Sequence, residues 1–289
     1  MSYEPETLPP DFAEAFNRAR TRFGRLGAPV LFFSTTESTN DVASALAASS
    51  DPGSNASNAS NAGAVVIADT QTAGRGRRGR TWFSPPGSGL YVSVVLDPGG
   101  ARREPERALA LLTLAAGVAL AEAVHRATGL APDIKWPNDL LIGRRKLAGI
   151  LAEGIASGPV DEALSTSRVT RVVLGYGINV AATAYPPELG DRATSLESEL
   201  GRSVDRAALC AETIASMAAR YDDLMAGRFD AILDAWHARA SGSRGARVQW
   251  ETPEGGQSGT TAGVDDMGAL LVRVGARVER LVAGEIVWI

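Results

Sequence analysis

Apolar and polar positions along this chain fall into segments of two periods. PVLFFS (29–34) and AVVIAD (64–69) are short apolar runs between polar stretches, and LYVSVVL (90–96) adds a run of alternating character. Each predicts a strand, as does RVVLGYGINV (171–180), which ends in a Gly-rich turn. Helical spacing marks DFAEAFNRARTRFG (11–24), 104–128, 205–226 and 229–240. Within 104–128, Leu109, Leu112, Ala116 and Leu120 form one apolar stripe that reads as helix core. TESTNDVASALAAS (36–49) predicts a helix with Ser38 at its N-cap and Asp41 three residues on, close to a capping box.

DIKWPND, LLIG and KLAGILAEGIA, between 133 and 156, read as short strands joined by tight turns. After Ser241-Gly242-Ser243 the texture changes. RVQWE, GTTAGVDD, ALLVRVG, RVERLV and GEIVWI are closely spaced short strands, which predicts a small terminal barrel. The fold class expected is therefore α+β, with a mixed or antiparallel sheet flanked by helices. The expected boundaries are an N-terminal extension over 1–28, a larger domain over 29–242 and the barrel over 243–289. SDPGSNASNASNAG (50–63) is low in complexity and reads as a surface loop inserted after the 36–49 helix.

Composition narrows the function classes. At 289 residues the chain suits one large domain, or one with a small appendage. A net charge of −4 argues against nucleic-acid affinity through overall charge. The lone Cys210 permits no internal disulfide, which fits a reducing compartment. MSYEPETLPP has neither the basic nor the apolar region of a signal peptide. The longest uncharged stretch within a predicted helix, Ala108 to Ala121, spans 14 residues, whereas a membrane span needs about 20. Together these predict a cytoplasmic protein without DNA or membrane partners. Of 29 basic residues only Lys135 and Lys146 are lysines, which leaves 27 arginines and makes 135–146 a segment to inspect.

Residues 74–79, Gly-Arg-Gly-Arg-Arg-Gly, match a dinucleotide fingerprint in letter only. That motif must open a helix, and here Thr-Trp-Phe-Ser-Pro-Pro-Gly follows, which cannot be one. What remains is four guanidinium groups, Arg75, Arg77, Arg78 and Arg80, spaced by glycines in an acidic protein. Such a loop suits phosphate or carboxylate; a solvated basic loop or an RNA contact is the plainer alternative. Lys135-Trp136-Pro137-Asn138-Asp139 reads by default as a turn. Lys146 leads into an apolar strand, and a lysine there supplies a point charge for a reacting carboxylate or phosphate. Asn40, Asn138 and Asn179 fall in these same marked segments. His125 and His237 lie within predicted helices and read as structural.

Taken in order, five segments resemble the bacterial biotin–protein ligases: Glu37-Ser38-Thr39-Asn40, Gln71 to Pro85, Lys135 to Leu140, Lys146 to Leu151 with Gly149, and Gly175 to Asn179. Gly284-Glu285-Ile286 closing the terminal barrel fits that family's SH3-like domain. The resemblance spans roughly residues 30–289 and implies a ligase fold like that of class II aminoacyl-tRNA synthetases. It implies two half-reactions. Biotin and ATP, the latter with Mg²⁺, give biotinyl-5′-AMP; a lysine of a biotin carboxyl carrier protein domain then takes the biotin.

By the same resemblance, Ser38, Thr39, Asn40, Gln71, Arg75, Gly76, Arg77, Lys146 and Gly149 are biotin-binding positions. Hydroxyl and amide groups suit a ureido ring, which both donates and accepts. Ser38 as a mere helix cap and Gln71 as a loop residue are the plain alternatives. Arg77, Arg80, Trp82, Lys135, Asn138 and Asn179 are the implied ATP side, with Trp82 otherwise a core residue. Lys146 and Arg75 are the implied catalytic pair, and Asp139 is a weaker position for orienting the incoming amine. No metal-ligand set is assigned, because Mg²⁺ bound to phosphates needs few protein ligands.

Some family members carry an N-terminal DNA-binding domain; the 30 or so residues before the first strand predict a form without it. A monomer or a homodimer fits the family. The alternatives are a lipoate–protein ligase or octanoyltransferase of the same architecture, and an RNA-binding module built on the arginine loop.

Overall fold

A computed structural model describes residues 4–49, 61–156, 169–253 and 255–289. Residues 50–60 of the low-complexity tract lie outside the described residues. Two sheets organise the described residues. The first has seven strands: β1 (Val30–Thr36), β2 (Val65–Gln71), β3 (Gly89–Leu96), β4 (Asp133–Lys135), β5 (Asp139–Ile142), β6 (Arg145–Ala156) and β7 (Val169–Asn179). Their order across the sheet is β1-β2-β3-β7-β6-β5-β4. The β1–β2 pair is parallel and the other pairings are antiparallel, so the sheet is mixed.

Among the described residues six α-helices accompany it: α1 (Pro10–Ala19), α2 (Thr39–Ala48), α3 (Pro105–Thr128), α4 (Leu196–Leu200), α5 (Arg206–Met225) and α6 (Phe229–His237). The main core joins α1, α3, α5 and α6 to one sheet face through residues such as Val92, Val94, Leu174, Ile178, Leu112, Leu120 and Ile214. A smaller cluster packs Val42, Ala43 and Ala47 of α2 on the other face, against Phe33, Val66, Val95 and Val173. Because side chains alternate along a strand, each core-facing residue has a neighbour pointing the other way. Leu174, Tyr176 and Ile178 enter the main core, so Gly175, Gly177 and Asn179 face away from it. That second face, covered only in part by α2, carries the site.

Helix α3 is long and apolar enough to cross a membrane by length and composition, but 78% of its apolar window is buried inside the protein. The buried helix expected from the 14-residue uncharged stretch is the core of this fold. Strand β3 is buried on both faces, because α5 packs on one side of it and α2 on the other.

Ser38 occupies the N-cap of α2 with extended backbone, yet its side chain makes no capping hydrogen bond. The expected capping box is not formed. The short helix α4 and the turns at 182–189 fall where no helical periodicity marks them. The second sheet is antiparallel, with β8 (Arg244–Thr252), β9 (Gly255–Val264), β10 (Leu270–Val274), β11 (Arg277–Leu281) and β12 (Val287–Trp288) in the order β11-β10-β9-β8-β12. It matches the small barrel that the spacing of short strands predicts.

Candidate active site

All fourteen residues marked as site positions by the sequence line one cavity of about 1030 Å³. It runs from the N-terminus of α2, across β6 and β7, to the end of the second sheet. Eight arginine and lysine side chains line it against three carboxylates, so the local field is positive in a chain whose net charge is −4.

Its floor is made of glycines. Gly149 of β6 pairs with Gly177 of β7, and the indole of Trp82 lies on both. A Cβ on Gly177 would stand 2.4 Å from Trp82 Nε1, and one on Gly149 would stand 3.1 Å from Trp82 Cζ3. Further along β7, a Cβ on Gly175 would stand 2.0 Å from Asn40 Oδ1. Side chains at these three positions would fill the space that Trp82 and Asn40 occupy. The indole Nε1–H is buried without a partner among the described residues.

At one end of the cavity a hydrogen-bonded chain orients hydroxyl and amide groups. Thr39 donates from both its backbone N and its Oγ1 to Gln71 Oε1, at 2.9 and 3.2 Å. Gln71 Nε2 donates to Ser84 Oγ at 2.9 Å. Ser93 Oγ, fully buried on β3, approaches Thr39 Oγ1 at 2.8 Å and also reaches Asn40 Oδ1. Asn40 Nδ2 donates to Glu153. Gln71 is therefore no idle loop residue: its amide ties the start of α2 to the stretch after the arginine loop.

The arginine loop follows. Arg75 lies between Asp41 and Glu153, donating from Nη1 to Asp41 Oδ2 at 2.8 Å and from Nε and Nη2 to Glu153 at 3.3 and 3.2 Å. The hydrogen bond to Asp41, with the second to Glu153 and both charges, raises its already high pKa despite burial. Arg77 reaches Asn138 Oδ1 at 3.2 Å, and burial beside Arg78 lowers its pKa. Arg78 holds φ 58° and Gly79 φ 72°, so the loop tip turns through left-handed backbone that costs a non-glycine residue energy. Arg80 forms a two-point ion pair with Glu285 of the C-terminal segment, at 2.8 and 2.6 Å. Burial pushes Glu285 up, but the hydrogen bond from Arg80 and the charges of Arg80, Lys135 and Arg78 hold it below the usual carboxylate range.

The two lysines stand on the far side. Lys146 Nζ lies 2.7 Å from Asp139 Oδ1, where no aligned hydrogen bond forms, so the contact is charge against charge. Nζ also sits 5.4 Å from the Trp82 ring centre. Lys135 Nζ lies 5.9 Å from the ring centre of Trp288. Burial lowers the pKa of Lys135, while Asp139 and Glu285 oppose the shift.

Asn138 and Asn179 line the cavity while serving the backbone. Asn138 Nδ2 donates to Ile150 O at 2.7 Å, and Asn179 Nδ2 to Thr194 O at 3.0 Å. Neither histidine lines the cavity. His125 Nδ1 contacts Leu130 O, and His237 stacks edge-on with Trp236.

Sequence reasoning missed Glu153, Ser93, Arg192, Glu285 and Trp288. Glu153 and Ser93 sit among apolar strand letters and become polar neighbours only through sheet register. Glu285 and Trp288 reach the site with the C-terminal segment, more than 90 residues beyond its other lining residues. Among the described residues no cluster of three His, Cys, Asp or Glu side chains could hold a metal.

Comparison with known proteins accords with this geometry. The family model described as "Biotin/lipoate A/B protein ligase family" matches residues 34–169. The chain is 36% identical over 259 residues to the biotin–[acetyl-CoA-carboxylase] ligase of Paracoccus denitrificans, covering 87% of this chain and 97% of that one. It belongs to the biotin–protein ligase family. It is also 34% identical over 276 residues to the bifunctional ligase/repressor BirA of Bacillus subtilis, covering 93% of this chain and 78% of that protein. Among solved structures, the biotin protein ligase of Aquifex aeolicus in complex with biotin and ATP superposes with a TM-score of 0.67 at 25% identity, covering 90% of this chain and 97% of that one. The ligase fold expected from the five motifs is thus the fold observed.

Proposed function

We propose that this protein activates biotin with ATP and passes it to a lysine of a biotin carboxyl carrier domain. The observation that carries this reading is the meeting of all fourteen motif residues around one positively charged cavity. In the first step a carboxylate oxygen of biotin attacks the α-phosphorus of ATP. An O–P bond forms, pyrophosphate leaves, and biotinyl-5′-AMP remains. In the second step an uncharged lysine amine attacks the anhydride carbonyl, an amide forms and AMP leaves.

The first step brings two anions together, the biotin carboxylate and the triphosphate. Two unit charges 4 Å apart repel by about 4 kcal/mol at an effective dielectric near 20, so fixed cations at the reacting atoms lower the barrier. Lys146 is the central one, with Arg77 across the cavity. Thr39, Asn40, Gln71 and Ser38 form the polar end for the ureido ring, and the Trp82–glycine floor forms its apolar wall. Gly76 and Gly149 are the glycines of the biotin side, and Gly149 leaves its space to Trp82 and Lys146.

Arg80, Lys135, Asn138 and Asn179 lie toward the nucleotide side. Mg²⁺ enters this proposal as the companion of the triphosphate, since the half-buried Asp139 of the cavity is already paired with Lys146. Cys210 is buried in the core and burial pushes its thiol up to about 12, so it supplies no nucleophile. A lone reduced, buried cysteine also supports the cytoplasmic setting.

The test is biotin- and ATP-dependent labelling of an apo-carrier domain, run in parallel with lipoate and octanoate. Labelling by biotin is expected. Labelling by lipoate or octanoate without biotin would replace this reading with the sister activity. No acyl transfer at all, together with salt-dependent RNA binding, would replace it with the RNA-binding one.

A further inference from the structure

Behind the cavity wall lies a pair of carboxylates to which the sequence motifs assign no part in the site. Glu153 of β6 and Asp41 of α2 do not themselves line the cavity. Each touches residues that do. Glu153 accepts from Arg75 through both oxygens and from Asn40 Nδ2 through Oε2; Asp41 accepts from Arg75 Nη1 and lies 2.7 Å from its Nη2. Of the five N–H groups on Arg75 these contacts engage four, which leaves one Nη1–H for a ligand. Asn40 is equally constrained. Its Nδ2 is drawn to Glu153, its Oδ1 meets Ser93, and its carboxamide rests on the bare backbone of Gly175.

We infer that Glu153 is a positioning residue for the biotin pocket, joining the amide that reads the ureido end to the first arginine of the loop. The inference rests on the proposed function. Its physical basis is the count of acceptors. Two carboxylate oxygens receive three hydrogen bonds, from Arg75 Nε, Arg75 Nη2 and Asn40 Nδ2. A carboxamide has one oxygen, and its NH₂ would face other donors. Glu153→Gln therefore keeps the volume and loses the orientation of Asn40 and Arg75 together.

The test measures biotin binding by titration calorimetry and steady-state adenylation with the full chain. Glu153→Gln should raise the biotin Kd and KM about tenfold, leaving the ATP KM within twofold. Asp41→Asn, which loosens only the Arg75 side, should raise them less. In the Arg75→Ala background Glu153→Gln should add under threefold, because part of its action runs through Arg75. A purely structural carboxylate would lower the melting temperature and leave the biotin KM unchanged in Glu153→Gln, and that result overturns the inference. Full additivity with Arg75→Ala, showing an independent action, also overturns it. If wild-type protein transfers no biotin, the proposed function has failed instead, and the wild-type control separates the two outcomes.

Discussion

Gly177→Ala tests the glycine floor most directly. The new methyl would stand 2.4, 2.5 and 2.9 Å from Nε1, Cε2 and Cζ2 of Trp82. An ordinary contact is 3.4–4 Å, so the indole must lift by about 1 Å. Its backbone cannot follow easily, because Trp82 N is tied to Gly74 O at 2.8 Å. The ring must then tilt into the cavity, toward Lys146. Overpacking of this kind costs about 1–3 kcal/mol. If that cost falls on the liganded state, it corresponds to a roughly 5- to 150-fold loss of biotin affinity.

Titration calorimetry measures this loss, and Trp82 fluorescence reports the displacement. The double variant Gly177→Ala/Trp82→Ala removes the clash, so in that background the alanine should cost little. Biotin affinity within twofold of wild type for Gly177→Ala, with unshifted fluorescence, would refute the packing argument.

Three further outcomes are expected. Lys146→Ala should reduce adenylate formation by about 10²–10³-fold, as read by pyrophosphate release; melting should move little, because the Asp139 pair is partly exposed. Lys135 has a pKa lowered by burial, so the sign is that of a base less easily protonated when folded. Its contribution to stability therefore improves as pH rises toward the unfolded value near 10.4. The ATP KM should rise in the same alkaline range as the charge is lost, and Lys135→Met should flatten that limb of the pH profile. Tryptic cleavage after Arg78, exposed at the loop tip, should slow when biotin and ATP are both saturating. Unchanged cleavage would mean that the loop does not engage the ligands.

Much of this protein is determined by the order of its residues. The strands at 29–34, 64–69, 90–96 and 171–180 follow from short apolar runs, because such runs can be buried only by a sheet covered on both faces. The five motifs were legible because charge, amide and glycine letters crowd where an apolar pattern would otherwise continue. Their order along the chain specifies the family. The terminal barrel was legible from turn spacing alone.

The tertiary structure decided the partners of those letters. Ser38 looks like a capping residue in sequence, but its side chain caps nothing. Arg75 reads as a free cation, but Asp41 and Glu153 hold it from two different elements. Arg80 meets Glu285 some 205 residues later in the chain. Glycines 149, 175 and 177 stand out in the motifs, but what they make room for is set only when β6 and β7 pair and Trp82 and Asn40 are laid on them. Local letters set local conformation. Which side chain neutralises, orients or covers another depends on sheet register and on contacts across the chain, and these arise only when the chain folds.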